Sequence, residues 1–349
     1  MRTSPAPAHL DLARLAPSSF AFVMATGITG VAAKLHHLDT LAWTLFGINV
    51  LAWLVLAVLN VLRVALHGAD VAADLHDHAR SIGFLTSVAG TAVLATEFIL
   101  YRESVAIAAV LATIALLLWF GLTYAIFAAL TIRPEKPRLE QGLNGSWLLA
   151  VVALQSLAVV GALLSAHVGQ PWRLQLNFAV LSLWLFAGAL YTWLMTLIIY
   201  RYTFLRFSPA DLSPPSWINM GAMAISALAG TQLVANASQA PFLASMLPFL
   251  KGFTLLYWAT GTWWIPLLVV LAAWRHGVRR EPLRWNPLVW AAVFPLGMYC
   301  AATTRVAQEF DIPFLLPLAS LFLWLALAVW GTAVAVLAAQ WFGRRPIST

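Results

Sequence analysis

The sequence predicts an all-α integral membrane protein of ten transmembrane helices, folded as five helical hairpins in a quasi-five-fold ring. The odd helices stand inside that ring and the even helices outside. Three observations carry this reading. Of 349 residues, 62% are hydrophobic and 9% are charged, against roughly 25% charged in a soluble domain. Ten apolar runs are each long enough to cross a bilayer. The odd-numbered runs also open on a shared pattern that recurs along the chain.

Mean hydropathy is +0.84. A chain this apolar cannot cover its surface with polar side chains, so lipid must meet it. Seventeen tryptophans and nineteen phenylalanines suit a broad lipid-facing perimeter. The net charge of +7 sits in the connections, with no basic tract that would point to nucleic acid. Cys300 is the single cysteine and lies in an apolar run, which leaves no disulfide framework and no cysteine metal site. The start of the chain, with Pro5 and Pro7, does not read as a cleaved signal peptide, so the first span is expected to stay.

A span needs about 20 mostly apolar residues. Such runs fall at 18–35, 41–65, 82–100, 105–130, 146–166, 176–200, 216–236, 246–274, 288–308 and 314–341. They are too long and too evenly apolar for barrel strands, which leaves helices as the structure that satisfies its backbone in lipid. The chain thus divides into an N-terminal segment, 1–17, a transmembrane domain, 18–341, and a tail, 342–349. Fifteen of the twenty Lys and Arg residues fall on the side holding the N-terminus, and Lys34, Arg102, Arg173, Lys251 and Arg305 fall opposite. The bias puts both termini in the cytoplasm, and the protein is expected in the inner (plasma) membrane.

The odd spans begin with Pro or Asn and an aromatic shortly after: Pro17 to Phe20, Asn144 to Trp147, Pro214 to Trp217, and Asn286 to Trp290. Span three departs from this, with Arg80 ahead of Phe84. Such residues start helices through capping and a preset φ, and their return at intervals of roughly 60–70 residues marks one hairpin as the repeat. The odd spans are rich in small residues, among them Gly27, Gly30, Gly90, Gly161, Gly221, Gly230 and Gly297. The even spans hold most other tryptophans, including Trp43, Trp53, Trp119, Trp184, Trp193, Trp263, Trp264, Trp324 and Trp330. Small residues suit an inner lining or close helix approach, and bulky aromatics suit lipid.

Several segments carry a resemblance: SSFAFVMATGI at 18–28, GFLTSVAGTAVLATEF at 83–98, GLNGSWLLAVVALQS at 142–156 and PPSWINMGAMAISALAG at 214–230. TGTWWIPLL at 260–268 and VWAAVFPLGMY at 289–299 complete the set. In order, they resemble the tellurite-resistance/dicarboxylate-transporter family, which includes the slow-type anion channels of plants and belongs to a voltage-dependent anion channel superfamily. The resemblance implies odd helices around a pore, a homotrimer, and small inorganic or organic anions as cargo. It also implies a pore gate at Phe294, halfway along the ninth span. There Pro295 removes a backbone donor and bends the helix, which would bring the ring toward the axis as an apolar constriction.

No cation lies mid-membrane on an odd span, so an anion would be met by dipoles. The pore-lining candidates are Thr26, Gly27, Gly90, Thr91, Ser156, Ser226 and Gly230, with the positive helix N-termini at the mouth. Charges inside a membrane are functional by default. Glu97, the one acid well within a span, and Arg305 are outer-vestibule candidates that could pair with each other. The eight histidines all fall in loops or at span ends, which counts against axial haem ligation. His76 and His78 with Asp74 and Asp77 read as a solvated loop. No metal, cofactor or enzymatic activity is expected. The function read from the sequence is channel-like movement of small anions. The alternatives are proton-coupled export or exchange of C4-dicarboxylate, tellurite or sulfite, and a membrane enzyme or non-conducting scaffold.

Overall fold

The computed structural model describes residues 11–282 and 287–341. Asn286, and the segments 1–10 and 342–349 at the two ends, lie outside the described residues. Ten long helices follow one another: α1 Ala21–Leu35, α2 Asp39–Leu66, α3 Leu85–Arg102, α4 Val105–Ile132 and α5 Leu149–Ser165. Then come α6 Trp172–Phe204, α7 Ile218–Asn236, α8 Leu247–Ala273, α9 Trp290–Glu309 and α10 Leu316–Trp341. No strand occurs among the described residues. The protein is an all-α, multi-pass membrane protein.

The recurring openings have a structural counterpart. Every odd helix is entered through one 3-10 turn: Pro17–Phe20, Ser81–Phe84, Gly145–Leu148, Pro214–Trp217 and Pro287–Val289. Proline at the first helical positions presets φ in the first and fourth of these. Asn144 caps the third by accepting from the Ser146 N–H at 2.8 Å.

The odd helices touch in a closed cycle: α1 on α3, α3 on α5, α5 on α7, α7 on α9, and α9 back on α1. Each even helix lies on the odd helix of its own hairpin and leans on the next one. Their surroundings differ accordingly. The spans built on α3, α5 and α7 are 89% buried, whereas those on α2 and α4 are 17% buried. Close approach needs small residues. A Cβ at Gly221 of α7 would sit 2.8 Å from the ring of Pro295 on α9, so glycine is what lets these two helices meet.

Among the described residues nine helices are long and apolar enough to cross a membrane. The expected ninth span is not one of them, although α9 has 20 residues and is about 30 Å long at 1.5 Å per residue. Thr303, Thr304, Arg305, Gln308 and Glu309 dilute its far end. Packed among α1, α7 and α10, it meets protein instead of lipid and does not need lipid-grade hydropathy.

The even-helix tryptophans divide, which corrects their expected placement at the lipid. Trp43, Trp193, Trp263 and Trp324 are exposed, but Trp184 and Trp264 are buried. Four of the five outer helices turn an indole N–H inward to the next hairpin's inner helix. Trp53 donates to Thr91 at 2.9 Å, Trp184 to the Ser226 carbonyl at 2.8 Å, Trp258 to Thr303 at 3.0 Å and Trp330 to Thr26 at 3.0 Å. An indole N–H without water needs an acceptor, and the neighbouring helix supplies it.

Candidate functional site

The five 3-10 turns surround a cavity of about 380 Å³ at the end where the inner helices begin. Each hairpin contributes to its wall. Pro17 and Ser18 come from the first, Arg80 and Gly83 from the second, Asn144 and Ser146 from the third, Ser213 and Pro215 from the fourth, and Leu288 and Trp290 from the fifth. The deepest lining residue on each helix is Met24, Thr86, Leu149, Ile218 and Phe294 respectively.

A second cavity, about 20 Å³, is also lined by all five inner helices, through Ile28, Val31, Val93, Thr96, Ser156, Val159, Ile225, Leu228 and Met298. Shared walls put both cavities on one axis. Phe294, 1% exposed, lines the first cavity, and Met298, one turn further on the same face of α9, lines the second.

Of the expected lining residues, the second cavity includes Ser156. Ser156 donates to the Val152 carbonyl at 2.8 Å, so its proton is not free for an anion. Ser226 is back-bonded to Ala222 in the same way. Thr26 and Thr91 accept from tryptophans of outer helices, which turns their hydroxyls away from the axis. The glycines face other helices as well: Gly27 faces Asn49 and Glu97, Gly90 faces Phe20 and Val23, and Gly230 faces Thr254 and Trp184. Helical spacing alone does not distinguish a lining hydroxyl from one facing a neighbouring helix.

Glu97 and Arg305 do not pair. Arg305 binds Glu309 at 2.8 Å and Gln308 at 3.0 Å on its own helix. Glu97 does not reach interfacial water; it is 0% exposed and accepts from Asn49 Nδ2 at 2.5 Å.

A residue of the cavity wall that the sequence reading did not single out is Arg80. Its signal was the irregular opening of span three, where arginine stands in place of Pro or Asn. Its Nε and Nη2 donate to Asp74 at 2.5 and 3.2 Å, and Arg63 Nη2 donates to the same carboxylate at 2.6 Å. Burial works against the ionised form of Asp74, but the hydrogen bonds and charges of Arg80 and Arg63 outweigh it and hold the carboxyl below its usual range. Of this cluster, Arg80 is the charge on the cavity wall itself, beside the five helix N-termini. The other loop residues are engaged locally: Asp77 accepts from the Ala79 and Arg80 N–H groups, and His76 contacts the Ala72 carbonyl.

This arrangement has known relatives. Two proteins of Methanocaldococcus jannaschii named as uncharacterized transporters are similar to nearly the full chain. One is 28% identical over 302 residues, 84% of each chain. The other is 26% identical over 313 residues, 84% of this chain and 85% of that one. An uncharacterized membrane protein of Mycobacterium tuberculosis is 40% identical over 149 residues, which is 42% of this chain and 75% of that protein. A match to the voltage-dependent anion channel family (SLAC1) runs over residues 14–338, so the two axial cavities and the helix cycle around them are those of a chain that belongs to the voltage-dependent anion channel family.

Proposed function

We propose that the protein moves small anions along the axis of its inner helices, in channel-like fashion, with Phe294 closing the path. The observation that carries this is the pair of cavities lined by all five inner helices, with Phe294 on the wall of the first and Met298, one turn on, on the wall of the second. The wide mouth favours anions through Arg80 and the helix N-termini. No cation among the residues lining the second cavity would hold an anion tightly beyond Phe294, which suits throughput over retention. The arginine-rich side is the cytoplasmic one in this reading, the membrane is the plasma membrane, and three copies assemble as the resemblance implies.

The test is anion flux in proteoliposomes carrying Phe294→Ala. Removing the ring raises flux by about tenfold or more, a barrier change of at least about 1.4 kcal/mol. Unchanged flux from correctly inserted protein sinks the gate. A proton-coupled carrier of C4-dicarboxylate, tellurite or sulfite is the second reading, and the burial of Glu97 favours it.

A further inference from the structure

A carboxyl group sealed among helices α1, α2 and α3 has no role in the path as described. Glu97 Oε2 accepts from Asn49 Nδ2 at 2.5 Å. Its Oε1 is buried with no hydrogen-bond partner, as are Tyr101 Oη and Asn49 Oδ1. Two glycines one turn apart on α1 make the space. A Cβ at Gly27 would lie 2.5 Å from Asn49 Nδ2 and 3.0 Å from Glu97 Oε2. A Cβ at Gly30 would lie 3.2 Å from both Glu97 Oε1 and Tyr101 Oη. The pocket is therefore built around this polar trio.

A carboxylate here lacks compensation. From α1 the facing residues are the two glycines; from α2, Asn49; from α3, Tyr101. The nearest charges lie beyond Tyr101, where Lys34 pairs with Asp39 at 2.6 Å and sits 6.0 Å from the tyrosine ring. One neutral donor against a bare charge out of water is strongly unfavourable. A proton on Oε1, the oxygen that Asn49 leaves free, removes that charge and can donate toward the tyrosine oxygen.

We propose that Glu97 is a proton-binding site that sets whether the axis passes anions, an inference that rests on the transport reading for its effect on flux. Val93 and Thr96, one turn and one residue before Glu97 on α3, line the second cavity. Ionised, Glu97 sets a negative charge beside the anion path, and protonated, it removes that repulsion. On release the O–H bond of the carboxyl breaks, the electron pair stays on Oε1 and the proton passes by way of the Tyr101 hydroxyl to water at the Lys34–Asp39 end. Uptake reverses this, so flux rises as pH falls.

Two measurements test it on the whole protein in lipid. Infrared spectroscopy of the native protein at neutral pH should show a protonated-carboxyl C=O band that is absent in Glu97→Gln. This holds whether or not the protein conducts. Should Glu97→Gln fail to insert, Tyr101→Phe should shift the same band. A native spectrum without it overturns the proposal. In flux assays with chloride across a pH series running above neutral, native flux should fall as Glu97 ionises in alkali, and Glu97→Gln flux should lose that dependence. An identical pH profile in the two proteins overturns the coupling. Absence of chloride, nitrate and malate flux in the native protein, with the band present, would instead count against the transport reading.

Discussion

Where the inner helices begin, the axis opens into about 380 Å³ ringed by Pro17, Ser18, Asn144, Ser213 and Arg80. Further along the same helices a second cavity of about 20 Å³ is walled mostly by Ile28, Val31, Val159, Leu228 and Met298. The same five helices build both regions. The mouth is bounded by backbone turns, and ion pairs anchor its wall. The far region is held together by apolar packing, with its hydroxyls bonded back to their own helices. Charge thus gathers where the cavity is wide, and the narrow space is walled by apolar side chains. Substitutions in the two regions should fail in different ways.

The largest effect belongs to the wall of the mouth. Arg63 is 2% exposed and pairs with Asp74 at 2.6 Å, tying the end of α2 to the short helix Gly68–Leu75. Asp74→Ala leaves that guanidinium buried without its carboxylate, which costs about 3–5 kcal/mol and frees Arg80 as well. A fall in thermal stability in detergent reads it, and an unchanged midpoint refutes the structural role. The pH dependence has a definite sign. The folded-state carboxyl of Asp74 is held below its ordinary value. Its contribution is therefore present in full above the ordinary carboxylate range of about pH 4, and it is lost as pH falls through the lower folded value.

Next comes the narrow region, where the question is which side chain resists passage. Met298→Ala widens the second cavity but leaves the Phe294 ring in place. Its gain in anion flux should fall well short of the tenfold expected of Phe294→Ala. The double variant should exceed either, because the two residues stand in series on one face of α9. If Met298→Ala alone matches Phe294→Ala, the narrowest point lies one turn beyond the aromatic ring, and the comparison between the two regions has its boundary in the wrong place.

The two regions also differ in how legible they were. The helices and their hairpin repeat were readable because hydropathy, proline and capping act locally, as at Pro17, Asn144 and Pro214. Which way a side chain points was not. In helices that are apolar all round, Trp184 and Trp263 look alike, yet one is buried and the other exposed. Thr26 and Thr91 were placed on the axis by their helices, but their hydroxyls serve tryptophans 304 and 38 residues away. The partner of Glu97 is likewise 48 residues away on an outer helix. Asn49, a polar residue inside an apolar run, was the available hint. In the sequence Arg80 reads as one of the loop charges that orient the protein, although it occupies the position where other hairpins carry Pro or Asn.

Arg80 yields the smallest effect and the sharpest separation between charge and architecture. Its guanidinium is half exposed in the mouth, so its pull on an incoming anion is weakened by water and by salt. Arg80→Ala should lower chloride flux about threefold at low ionic strength, a barrier change of under about 1 kcal/mol. The loss should fade at about 1 M salt, where the screening length is near 3 Å. Arg80→Lys, which keeps the charge but gives up the two-pronged grip on Asp74, should retain most of the low-salt flux. A deficit that persists unchanged at high salt, and that lysine does not rescue, would mean that Arg80 acts by holding Asp74 and the wall in place. The positive mouth would then be a by-product of that scaffold and not the source of anion preference.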